Sequence, residues 1–163
     1  LWAFTAGGRI DSPPTIHRGL ALFGSADGYV YALRARDGQL AWRFLAAPSH
    51  RRLMAFGQVE SAWPVHGSIL VLNGVAYCAA GRSTYLDGGV SLYGLDIPSG
   101  RIRYRGRLEG PHRATGERNL AFFSPGANSD VLVAEASEIS EFHNAGGNRI
   151  FLSETVKCLI QRQ

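Results

Sequence analysis

Lysine is almost missing from this chain: Lys157 stands alone against sixteen arginines. Methionine occurs once, at Met54, and cysteine twice, at Cys78 and Cys158. Two cysteines allow one disulfide but no disulfide framework, so they define no redox compartment. Cys78 lies inside the apolar run Val75-Ala-Tyr-Cys-Ala-Ala80 and reads as a small core residue. No apolar run approaches the ~18 residues of a membrane-spanning helix. The opening residues, Leu1-Trp-Ala-Phe4, have neither an initiator methionine nor the basic flank and apolar stretch of a signal peptide, so the chain itself supplies no targeting signal. Histidines are scattered, none in an i, i+4 pair or beside a cysteine pair, which speaks against a metal centre. No group of Asp, Glu and Asn has calcium-loop spacing. Ser83 and Ser91 lack the glycine frame of a nucleophile elbow. Gly7-Gly8-Arg9 leads into a strand rather than a helix, so it is no phosphate loop.

What the chain has is turns. Twenty glycines and seven prolines in 163 residues point to an all-β fold. The net charge is +4, and residues 1–118 carry fourteen arginines against eight acids. Those arginines, such as Arg34, Arg36, Arg43, Arg101, Arg103, Arg105 and Arg107, recur on strands and turns along the repeats described next. A nucleic-acid footprint would gather them on one face; spread this way they read as solvated strand edges, and no nucleic-acid partner is expected.

One stretch recurs. Tyr31-Ala-Leu-Arg-Ala-Arg-Asp-Gly-Gln-Leu-Ala-Trp42 aligns in phase with Tyr93-Gly-Leu-Asp-Ile-Pro-Ser-Gly-Arg-Ile-Arg-Tyr104, so Gly38 falls on Gly100 and Trp42 on Tyr104. Leu1-Trp2-Ala-Phe4 resembles Ala41-Trp42-Arg-Phe44 and reads as the end of an earlier copy. Asp27-Gly28, Asp37-Gly38 and Asn73-Gly74 are hairpin signals. Four short strands follow for each full copy. The first set lies near residues 15–17, 20–24, 29–34 and 40–45, the second near 66–72, 75–80, 90–96 and 102–108. Tyr29–Leu33 is apolar on both faces, so each sheet has a neighbour stacked on either side. Radially packed four-stranded sheets are the arrangement of a β-propeller. The division expected is a last strand and linker of a truncated preceding blade (1–11), a first full blade with its connector (12–63), a second full blade (64–110), and a long loop with a partial, divergent third blade (111–163). The connector 45–63 shows no strand alternation and is expected to hold at most a short helical turn. Two copies and fragments are fewer than the 4 to 8 blades of a propeller, so the chain reads as a piece of a larger one. Alone, its terminal blade faces would be exposed and prone to self-association.

The order Gly38 to Trp42, with Gly94, Asp96, Ser99, Gly100 and Tyr104 in the second copy, resembles the tryptophan-docking repeat of the quinoprotein-type, or pyrroloquinoline-quinone (PQQ), β-propellers. Arg34 replaces the motif's Asp in the first copy and Asp96 keeps it in the second; Tyr104 replaces the Trp. The resemblance implies that Trp2, Gly38, Trp42, Asp96, Gly100 and Tyr104 tie blades together. It implies a periplasmic or extracellular location. The family holds quinoprotein dehydrogenases and non-catalytic propellers such as the scaffold lipoprotein of outer-membrane protein assembly. The dehydrogenases use a bound quinone, Ca²⁺ and a catalytic Asp, and none of these elements maps onto this sequence. The resemblance therefore favours the scaffold-like members: a non-catalytic module presenting loops to a protein or ligand, with no cofactor. The alternative is a fragment of a PQQ- and Ca²⁺-dependent alcohol or sugar dehydrogenase whose active site lies in missing blades.

The copies differ at two places, and those differences hold the candidate binding residues. His50-Arg51-Arg52 in the connector reads either as a solvated loop or as an anion-binding group. Trp63 reads as a seal between connector and propeller or as an anchor for a partner. The inserted loop Arg82-Ser-Thr-Tyr-Leu-Asp87 brings a cation, a phenol and a carboxylate in Arg82, Tyr85 and Asp87. Inserted loops on rigid scaffolds often carry function.

Overall fold

The computed structural model describes residues 1–108, apart from 56, 84 and 85, together with four strand segments farther along. Tyr85, Cys158 and the long loop expected after residue 108 lie outside the described residues. Strands β1 (Thr15–His17), β2 (Leu20–Gly24), β3 (Tyr29–Arg34) and β4 (Leu40–Leu45) form one antiparallel sheet in that order. A two-stranded hairpin follows, β5 (Arg52–Ala55) with β6 (Gln58–Ser61). Strands β7 (Leu70–Leu72), β8 (Val75–Ala80), β9 (Val90–Asp96) and β10 (Ile102–Leu108) make the second four-stranded antiparallel sheet. Beyond it β11 (Asp130–Val133) pairs with β14 (Leu159–Arg162), and β12 (Phe142–His143) with β13 (Arg149–Ile150).

Turn chemistry sets these sheets. Arg18-Gly19 and Asn73-Gly74 both adopt positive φ at the two turn positions, 45° and 78°, then 49° and 76°. That is the two-residue turn whose twist matches paired strands, and it closes β1–β2 and β7–β8 alike. The expected all-β, bladed architecture is what the chain forms. The connector differs from expectation: it holds a hairpin, with no helical turn among its described residues. Gly57, at φ 72°, sits in the two-residue link between Ala55 and Gln58.

The core lies between the two large sheets. Leu22, Val30 and Ala32 of the first sheet meet Ala76, Cys78 and Leu95 of the second, and Ala46, Ala62, Trp63 and Val65 close it at one end. Each buried Leu or Val contributes about 1.5–3 kcal/mol relative to exposure. The opposite faces are apolar too. Phe23, Tyr31 and Leu33 cluster with Phe4 on the far side of the first sheet, and Val75 and Tyr77 with Tyr104 on the far side of the second. This two-sided burial explains strands with no polar face. Because successive strands run antiparallel, residues 7–14, the 25–28 turn and the described residues of the 46–69 connector and of the 81–89 loop share one end of the sheets, here the loop end. The 18–19, 35–39, 73–74 and 97–101 turns share the other, the turn end.

Candidate functional site

At the turn end, the two copies make the same contacts. Trp2 donates from its indole N–H to the Ala35 carbonyl at 2.9 Å, and Trp42 to the equivalent Ile97 carbonyl at 2.8 Å. Each ring lies over a glycine of the next turn. A Cβ on Gly38 would come within 2.5 Å of the Trp2 ring, and one on Gly100 within 2.7 Å of Trp42. Both glycines have positive φ. Both outer strands carry a register shift beside the aromatic, between Ala32 and Leu33 opposite Trp42 and between Ile102 and Tyr104. Such a bulge re-aims a side chain. Tyr104, at the Trp42 position, stacks on Tyr77 at 6.5 Å.

The copies hold their turns by opposite chemistry. Asp96 accepts hydrogen bonds from the Ser99 N–H at 3.2 Å and hydroxyl at 2.7 Å, and pairs with Arg103. In the first copy the equivalent pair is Arg34 donating to Asp37 at 2.9 Å. The backbone bonds are the same in both, from Gly38 to Arg34 and from Gly100 to Asp96. Ser99 and then Arg103 hold the Asp96 carboxyl below the usual range, and Arg34 does so for Asp37.

The loop end is where the two copies differ, and it gathers most of the candidate binding residues. Its hub is the 25–28 turn. Ala26 donates its N–H to the Arg9 carbonyl at 2.8 Å, and the Ala26 carbonyl accepts from Ser61 at 2.8 Å. Gly28 packs so closely on Ala47 and Ser61 that a Cβ would lie 2.8 Å from each. Asp27 is buried; its carboxylate accepts from the Tyr29 N–H at 3.0 Å and the Tyr31 hydroxyl at 2.5 Å. Burial, and then Asp27, push the Tyr31 phenol up to about 12. Gly7 and Gly8 lie against Asp27 with no room for a Cβ. That is what the Gly-Gly pair serves.

Above the hub runs a chain of charges. Glu60, 2% exposed, accepts from Arg82 at 2.5 Å, and Arg82 also donates to the Ser61 carbonyl at 3.1 Å. Arg9 lies 3.7 Å from the other Glu60 oxygen and pairs with Asp11, which also bonds the His66 ring at Nδ1. Burial raises the Asp11 carboxyl, but bonds from Arg9 and His66 outweigh it and leave it below its ordinary value. Beside this chain, Trp63 donates to the Asp87 carbonyl at 2.9 Å. The Arg51 guanidinium lies 5.3 Å above the Trp63 ring and pairs with the Asp87 carboxylate.

Arg51, Trp63 and Asp87, read from separate segments, are therefore in one contact, with Arg82 anchored nearby through Ser61. His50 and Arg52 are exposed and stand apart from it. Arg82 is buried among protein groups and is no surface cation. Sequence reasoning passed over Glu60 and Asp11, and it read His66 as the start of a strand, whereas β7 begins at Leu70 and His66 bonds Asp11. The available signal was Glu60 itself, an acid inside the short run Gln58-Val-Glu-Ser61 with the unmatched Arg82 later in the chain. On the outward side of the hairpin Met54 and Val59 stand opposite each other, 68% and 54% exposed. Leu86, next to Asp87, is also exposed.

Residues 1–72 match the family model described as outer membrane protein assembly factor BamB. No curated protein matches the chain. Among solved structures, a europium-containing methanol dehydrogenase is 15% identical, with 68% of this chain and 19% of that one covered at a TM-score of 0.52. The quinohemoprotein alcohol dehydrogenase of Comamonas testosteroni is 17% identical over 60% of this chain and 13% of its own, at 0.49. BamB from Moraxella catarrhalis is 24% identical over 64% of this chain and 28% of its own, at 0.41. The chain thus spans less than a third of the length of each. The fold is a partial β-propeller with PQQ-like repeats.

Proposed function

We propose that these PQQ-like repeats form a non-catalytic propeller module that binds a protein partner at the loop end. In this reading Trp2, Gly38, Trp42, Asp96, Gly100 and Tyr104 serve as blade docks, and the hairpin with the 81–89 loop is the working surface. The observation that carries it is the way the loop end uses its charges. Glu60, Asp11 and Asp87 are each engaged by an arginine of the same molecule. A general base or a metal ligand needs a lone pair turned toward its substrate or ion. Asp11 and Asp87 instead fasten loops together, Glu60 does so through Oε1, and Met54, Val59 and Leu86 face outward beside exposed basic residues. A rigid platform with exposed apolar residues is the anatomy of an interaction surface. The description of the matching family, an outer membrane protein assembly factor, supports an extracytoplasmic setting.

Site-specific photo-crosslinking in cells tests this. A reactive side chain at position 59 should give discrete protein adducts, while one at position 73, in a turn at the other end, should not. Adducts independent of position would overturn the reading. So would tight binding of PQQ with Ca²⁺ and dye-linked alcohol oxidation by the full-length protein, which belong to the dehydrogenase alternative.

A further inference from the structure

Met54 is the only methionine of the chain and the most exposed large apolar side chain after Leu1 among the described residues. Its register partner is Val59, so the two lie side by side on one face of the β5–β6 hairpin. The other face is spent: Leu53 packs on the core and Glu60 is buried on Arg82. The outward face is held in place, because the Arg51 carbonyl accepts from Ala62 at 3.0 Å and Ser61 is bonded to the 25–28 turn. Opposed, fixed apolar side chains about 5 Å apart make a platform for a pair of apolar groups. An unbranched methionine adapts to differently shaped partners.

Most charge at this end is paired, Arg51 by Asp87 included, but Arg52 has no acid partner among the described residues. His50, Arg51 and Arg52 at its root are exposed. The acids of the same end, Asp11, Asp27, Glu60 and Asp87, are turned into the protein onto Arg9, Tyr31, Arg82 and Arg51. Arg52 lies two residues before Met54 on the same strand and so on the same face, and this unpaired cation beside the apolar pair favours a negative approach. We propose that this face docks a partner-protein segment presenting two neighbouring apolar side chains flanked by aspartate or glutamate. This rests on the protein-binding reading above and names its partner class.

The test uses the full-length protein and a labelled synthetic peptide with two leucines between paired glutamates, followed by fluorescence anisotropy. Controls exchange leucine for serine, or glutamate for lysine. The leucine–glutamate peptide should bind at least about tenfold more tightly than either control and weaken as salt rises. The double change M54D/V59D should abolish binding with the circular dichroism spectrum and melting unchanged, Arg52→Glu should weaken it, and Met54→Leu should keep it. Equal binding of the serine peptide, equal binding of the lysine peptide, or undiminished binding by M54D/V59D would each overturn the proposal. If the peptide fails while discrete adducts still form from position 59, this partner class is wrong and the protein-binding reading stands. If both fail, both fall.

Discussion

One methyl group at Gly100 tests the contact between the copies. Gly100 has φ 68°, and its Cβ would lie 2.7 Å from the Trp42 ring. Gly74 has a similar φ, 76°, with nothing within 4 Å. Both alanine variants carry the left-handed penalty of about 1–2 kcal/mol, so the excess at Gly100 reports the ring contact. Gly100→Ala should cost at least about 1 kcal/mol more than Gly74→Ala in denaturant unfolding; equal costs would show that the ring simply moves aside. Tyr31 gives a pH signature. Its phenol is raised to about 12 from an ordinary 10, so the folded state favours the protonated form. The resulting stability is fully present below pH 10 and is lost as pH rises through about 12. Tyr31→Phe should flatten that alkaline loss, read from unfolding midpoints across the range. Trp42 and Gly100 were legible in the sequence because the repeat fixes their spacing. The Arg34–Asp37 pair was not, because each substitution looks like a departure from the motif until the two side chains are seen to bond each other.

At the scale of elements, the eight blade strands were legible, although β7 begins at Leu70 rather than near residue 66, and the β5–β6 hairpin was not. Blade strands carry apolar side chains on both faces and glycine turns at their ends. The hairpin has Leu53 opposite Glu60 on its inward face, so a buried acid breaks the alternation that marks a strand. The acid is tolerable because Arg82 arrives from a loop more than twenty residues away in sequence, with Arg9 3.7 Å from its other oxygen. Removing one partner alone leaves an uncompensated buried charge. Glu60→Ala should therefore destabilise by about 3–5 kcal/mol, while Glu60→Leu combined with Arg82→Met should be close to neutral. Chemical unfolding of the two variants decides this. A double variant as unstable as Glu60→Ala would mean that Arg82 is needed for its bond to the Ser61 carbonyl rather than as the counter-charge.

For the molecule as a whole, the question is whether the two sheets open together. In a repeat protein, stability divides into terms within each repeat and terms between neighbours. Here the main core belongs to neither sheet, since Leu22, Val30, Ala32, Ala76, Cys78 and Leu95 meet across the interface. Phe44 adds an edge contact to Tyr93 at 5.0 Å. Trp42 adds the ring over Gly100 and the bond to Ile97 at the turn end. Coupled sheets should exchange their protected amides with one common opening free energy, so β3 and β9 should match in native-state hydrogen exchange. Trp42→Ala should cost about 3 kcal/mol, the low end for removing a large buried aromatic because Trp42 is only half-buried. It should also separate the two sheets, with β9 opening at a lower free energy than β3, because β9 leads into the turn that loses its cover. If β3 and β9 fall together and remain matched in this variant, the small-residue core alone holds the sheets as one unit. Trp42 would then add stability to the interface without setting its cooperativity.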